Sequence, residues 1–121
     1  HISTFSTHTS KKIITKKGYK FSISEAIGNW EDNKGNYGKS KIIFYVEEFE
    51  NNTLIKGLGQ LTDQENKILW FIPERETSQE AGAGKVKIID ASEKYNYLIN
   101  KNCIYAINYL DDRSFFKVKC N

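Results

Sequence analysis

Methionine is absent from the 121 residues, proline occurs once, and cysteine and histidine occur twice each. Each scarcity excludes something. Two cysteines cannot staple a disulfide-dense mini-protein. They form no Cys-X-X-Cys, and both histidines, His1 and His8, sit in one Ser/Thr-rich stretch, so no metal site is expected. No apolar run approaches the roughly 20 residues of a membrane-spanning helix. Charge of one sign is also lacking: 18 Lys and Arg against 15 Asp and Glu leave a net +3. The lysines are spread along the chain and mostly alternate with apolar residues, as solvated strand faces do, so no nucleic-acid partner is expected. Hydrophobic residues make up 39%, too many for a disordered tail. A chain of this length buries roughly two thirds of its unfolded surface, enough for a real core.

What is abundant is strand signal and aromatic residues, with 7 Tyr, 7 Phe and 2 Trp. Tyr19, Phe21 and Ile23 alternate with Lys20, Ser22 and Ser24, the period of a strand. The stretch Gly28 to Gly38 is dense in Asn, Asp and Gly and reads as a turn region. Further strands are expected over 39–49, 53–61 and 67–72, the last apolar on both faces and ended by Pro73. Glu74 to Gly84 reads as the longest loop, and 85–90 as a strand. A helical turn over 92–99 would be capped by Ser92, with Tyr95, Leu98 and Ile99 inward. Two strands, 102–110 and 113–120, close the chain around Asp111-Asp112. The pattern predicts an all-β antiparallel meander of about eight strands, a closed or nearly closed β-barrel, with a β-sandwich as the alternative. Residues 1–10 are expected to be a flexible N-terminal segment holding at most a short edge strand, and 11–121 a single β domain.

The last hairpin permits a sharper inference. A two-residue turn at Asp111-Asp112 sets Leu110 against Arg113 and, carried back, Cys103 against Cys120. That register gathers Cys103, Tyr105, Ile107 and Tyr109 with Phe116, Val118 and Cys120 on one apolar face. Opposed Cβ atoms lie about 4.5–5.5 Å apart, close to what a disulfide needs. A disulfide is favoured over two buried free thiols. Together with a first residue that is not Met, it leads us to expect a secreted or periplasmic protein.

Catalytic signals are faint. No Gly-X-Ser-X-Gly occurs, and Ala81-Gly82-Ala83-Gly84-Lys85 lacks phosphate-loop spacing and leads into a strand. A copper site at His1 would need His8 as its second histidine. Glu48 falls in phase with Ile42, Phe44 and Val46, a candidate inward carboxylate for acid/base work. Asn51-Asn52-Thr53 has the form of a glycosylation acceptor. No cofactor is expected.

The segments Trp30 to Gly38, Ala81 to Lys85, Tyr95 to Leu98 and the closing Cys103 to Cys120 resemble small exported bacterial proteins of unknown function. The closing third is also similar to allene-oxide-cyclase-like and lipocalin-like barrels, except that Ser92-Glu93-Lys94 stands where those carry a Gly-rich turn. The resemblance implies a small apolar ligand more than a shared reaction, and no catalytic residue carries over. The expected ligand contacts are Trp30, Tyr37, Trp70, Tyr105 and Phe116, aromatics that combine apolar area with, in Tyr and Trp, a polar handle. The alternative is that the aromatics merely fill the barrel. Two other functions stay open. One is a protein-binding module, an inhibitor or immunity protein, using the Trp30–Tyr37 and Glu74–Gly84 loops. The other is a cyclase or isomerase using Glu48 or a tyrosine.

Overall fold

A computed structural model describes residues 1–77 and 83–121, the side chains of 75–77 excepted. Eight antiparallel strands follow in chain order and close into a barrel. They are β1 (Ile2–Ile14), β2 (Lys20–Asp32), β3 (Tyr37–Phe49), β4 (Asn52–Asp63), β5 (Ile68–Thr77), β6 (Ala83–Ala91), β7 (Cys103–Leu110) and β8 (Arg113–Cys120). One 3-10 helix, η1 (Glu93–Leu98), links β6 to β7. The barrel closes where β1 pairs with β8. The all-β barrel expectation therefore holds, and the sandwich does not.

Several expectations need correction. The N-terminal segment expected to be flexible is β1, paired with β2 along its whole length and with β8 from Ile2 to Thr7. Its composition hid this because its inward residues, Thr4 and Ser6, are small and polar yet buried. The phase of β2 is opposite to its hydrophobicity: Ser24 is buried while Ile23 is 53% exposed. The turn expected from Gly28 onward begins only after Asp32. Gly28 lies in mid-strand, where a Cβ would stand 1.8 Å from the Phe5 carbonyl oxygen. It permits close approach of β1 and does not make a turn. Nor does Pro73 end β5, which continues to Thr77. The β4–β5 ladder leaves out Gly57 and Leu58 opposite Pro73 and Ile72 and resumes in the same register. The missing N–H is thus accommodated by an interruption. The expected Glu74–Gly84 loop loses both ends to β5 and β6, and its centre lies outside the described residues.

Inside the barrel, β5, β7 and β8 each contribute a buried aromatic ring. Phe71 stacks on Phe116 with ring centroids 5.9 Å apart, and Tyr105 tilts against Phe116 at 5.0 Å. β1, β2 and β3 contribute the small buried residues Ser6, Ser24, Ala26 and Ser40 beside the larger Ile2, Trp30 and Ile42. Gly59 lies directly opposite Phe71, and a Cβ there would be 2.2 Å from the ring. The aromatic ring fills the space over the glycine. Cys103 and Cys120 are bonded in the register read from the hairpin, with Cα atoms 4.1 Å apart. Cross-linking positions 17 residues apart contributes about 3 kcal/mol in the chain-entropy account.

Gly59→Ala should destabilise the barrel by about 1–3 kcal/mol through overpacking. Urea unfolding measures this, and shortening the ring with Phe71→Leu in the same chain should recover part of the loss.

Candidate functional site

The two ends of the barrel differ in kind. At the end that holds both chain termini, η1 lies across the opening. Tyr95, 1% exposed, packs edge-on against Trp30 with ring centroids 6.3 Å apart, and Leu98 and Ile99 pack beside them. Trp30 is pinned by its indole N–H, which donates to the Thr62 carbonyl at 2.9 Å. Ser92 occupies the N-cap as expected, and its carbonyl accepts the Tyr95 N–H at 2.8 Å. Its side chain makes no cap bond; its Oγ instead accepts from the Ile68 N–H at 2.9 Å, tying η1 to β5.

Asp63 holds this plug. One carboxylate oxygen accepts the backbone N–H groups of Glu65 (2.8 Å) and Lys67 (2.9 Å), which fixes the β4–β5 turn. The other accepts the Tyr95 hydroxyl (2.5 Å) and the Lys94 ammonium (2.8 Å), both from η1. Burial of this carboxyl would raise its pKa. The hydrogen bonds from Lys94, Tyr95, Lys67 and Glu65 outweigh burial and hold it well below its ordinary value of 3.8. The Tyr95 hydroxyl is pushed up, by burial first and then by its bond to Asp63. No sequence signal marked Asp63 beyond its place in a turn.

The opposite end carries a cup of different chemistry, a cavity of about 40 Å³. A buried water takes roughly 10–15 Å³ on this measure, so the space admits a few waters or part of a small molecule. Ala26, Ile42, Phe44, Ile55 and Pro73 form its apolar wall, and β7 and β8 complete it with Tyr105, Ile107, Tyr109 and Phe116. His8 and Ser114 also line it, with Nε2 of the histidine 2.5 Å from the serine hydroxyl. The His8 ring meets Phe44 and Tyr109 edge-on, at 6.0 and 5.7 Å between centroids. Burial lowers the His8 pKa, and the Asp112 charge opposes that shift without cancelling it. The imidazole is therefore neutral at neutral pH.

The structure divides the five expected contact residues. Tyr105 and Phe116 line the cup. Trp30 lies at the plugged end, in a cleft of about 300 Å³ beside Lys34, Tyr97 and Lys101. Trp70 is on the outer surface, its indole N–H donating to Gln60 at 2.9 Å. Tyr37 is outside as well and 60% exposed. Phase explains the division: Trp70 alternates with the inward Leu69 and Phe71, and Tyr37 with the inward-phase Gly38 and Ser40. Glu48 keeps its phase but is exposed at the strand end, so it does not supply an enclosed carboxylate. His8 is the residue that sequence reasoning passed over. Its parity with the buried Ile2, Thr4 and Ser6 was the available signal. Among the described residues, no group of His, Cys, Asp and Glu forms a metal site.

The chain is similar to a crystal structure of a conserved protein of unknown function from Rhodopseudomonas palustris. The TM-score is 0.76 at 6% identity, over 98% of this chain and 92% of that one. At that identity the likeness establishes the barrel fold alone. No protein-family model and no curated protein matches the chain.

Removing the Tyr95 hydroxyl with Tyr95→Phe should cost about 1.5–3 kcal/mol, the range for a hydrogen bond to a charged group. Because the folded pKa of Asp63 is depressed, its stabilisation is full above the ordinary value of 3.8 and is lost as pH falls toward the folded value. Denaturant midpoints measured from pH 6 downward should fall more steeply below about pH 4 for the parent chain than for Asp63→Asn.

Proposed function

We propose that the protein is an exported β-barrel that binds a small, uncharged, largely apolar molecule in the cup at the unplugged end. The observation that carries this reading is a largely apolar cup in which His8 and Ser114 form a hydrogen-bonded polar pair. Apolar walls supply affinity through burial, and a few placed polar groups set orientation. A neutral imidazole with Asp112 nearby disfavours an anionic ligand, because an anion would enter without a countercharge. Ligands bearing one hydroxyl or carbonyl fit best. The barrel likeness and the Cys103–Cys120 disulfide support the lipocalin-like and exported parts of the reading.

Intrinsic tryptophan fluorescence is a poor readout, since neither Trp30 nor Trp70 lines the cup. Displacement of the neutral dye Nile red by short-chain alcohols, ketones and phenols is the direct test. Ser114→Ala should weaken such ligands by roughly tenfold, the equivalent of one hydrogen bond. Indifference of every probe to Ser114→Ala and to filling the cup with Ile107→Phe would remove the reading.

The pH dependence has a definite sign. Ligand burial desolvates His8 further and favours its neutral form, so binding should expel a proton at acid pH. Affinity should therefore fall as pH drops through the lowered His8 pKa, at a pH below the ordinary histidine value of about 6.5, and His8→Gln should flatten that profile in the same displacement assay.

A further inference from the structure

The barrel seam is shorter than the strand that forms it. β1 pairs with β2 from Ile2 to Ile14, but with β8 only from Ile2 to Thr7. β8 cannot go further, because the chain turns at Asp111-Asp112. Thr9–Ile14 is thus a strand edge paired on one side only among the described residues. All six of these residues are exposed, Ile13 at 70% and Ile14 at 56%.

The direction of the unused hydrogen-bonding groups follows from the last bond of the seam. The His8 N–H donates to the Asp112 carbonyl at 2.7 Å, toward the β8 side. In an unbroken strand, alternate residues point the same way, so the N–H and C=O groups of Ser10, Lys12 and Ile14 face the open edge. Such a row is a template for one more strand.

Charge selects the occupant. Lys11, Lys12, Lys16 and Lys17 all lie on or beside the edge, against a single carboxylate on the facing stretch of β2, Glu25 opposite Thr9. Lys11 stands opposite Ile23, and Lys12 opposite Ser22. None of the four forms an ion pair with a described residue. Lys20 stands opposite Glu48 and is left out of this count. A second copy of the edge would bring lysine onto lysine or isoleucine, which disfavours self-pairing.

We propose that the Thr9–Ile14 edge docks an extended acidic segment of a partner protein as an added β-strand. Cross-strand pairing dictates its sequence. In the antiparallel orientation, two apolar residues face Ile14 and Ile13, and the two that follow, both acidic, face Lys12 and Lys11. Because Lys11 and Lys12 project to opposite sheet faces, the two carboxylates must be adjacent in sequence.

The test is fluorescence anisotropy of a labelled peptide with an Ile-Val-Glu-Glu core, with Ile-Val-Lys-Lys as its counterpart. The parent chain should bind the acidic peptide saturably and not the basic one. Ser10→Pro removes an edge-facing N–H while sparing the ladder to β2; it should weaken the acidic peptide by roughly tenfold or more. The double variant Lys11→Glu with Lys12→Glu should lose the acidic peptide and gain the basic one. Thermal melts would confirm that both variants fold. Four results would overturn the proposal: no saturable binding by the parent chain, indifference to Ser10→Pro, concentration-dependent self-association through this edge, or charge-dependent binding to phosphatidylserine vesicles in place of peptide.

Discussion

The Asp63 carboxylate is the contact on which one end of the barrel depends. It is a buried charge, and such a group is tolerated only when its oxygens are filled by donors. Here four donors come from two elements that must both be in place, the β4–β5 turn and η1. The same contact therefore sets the turn and seats the plug. With Tyr95 seated, Trp30 is covered. The core below it is then covered by η1 except at the cleft beside Lys34, Tyr97 and Lys101, and a smaller apolar cup opens at the far end.

Shape complementarity across the barrel does the rest. The aromatic rings of β5, β7 and β8 leave room elsewhere for small inward residues, and the chain supplies Ser6, Ser24, Ala26 and Ser40 on β1, β2 and β3 and Gly59 against Phe71. The arrangement has a polar cost. The hydroxyls of Thr4, Ser6 and Ser40 are buried without a hydrogen-bond partner among the described residues. His8 is the next inward residue of the same strand, and it does find a partner, Ser114. Polarity inside this barrel is thus concentrated on the β1 side and reaches the cup as a neutral, hydrogen-bonded pair.

Much of this was legible in sequence where local rules act alone. Period-2 alternation gave strands, short turns gave antiparallel order, and the Asp111-Asp112 turn gave the register that pairs Cys103 with Cys120. The inward tyrosine of η1 was legible as well. The errors share a cause. Reading the apolar face as the inner face fails for β2, because a small barrel cannot hold a large residue at every inward position. Gly28 and Pro73 are loop-like residues by local preference. In the barrel the first permits a close strand approach and the second sits at a gap in one ladder.

The candidate site was legible only in part for the same reason. Tyr105 and Phe116 were placed by hairpin parity, whereas Trp30, Tyr37 and Trp70 were chosen for residue type and went to the plugged end or the outer surface. By itself the sequence determined the strands after β1, their antiparallel succession and the register that opposes the two cysteines, since these follow from alternation and turn length between chain neighbours. Only the tertiary structure decided that β1 meets β8, that His8 meets Ser114, and that Asp63 meets Tyr95. Those contacts join residues far apart in the chain, and no local pattern encodes which wall of a closed barrel a distant side chain will face.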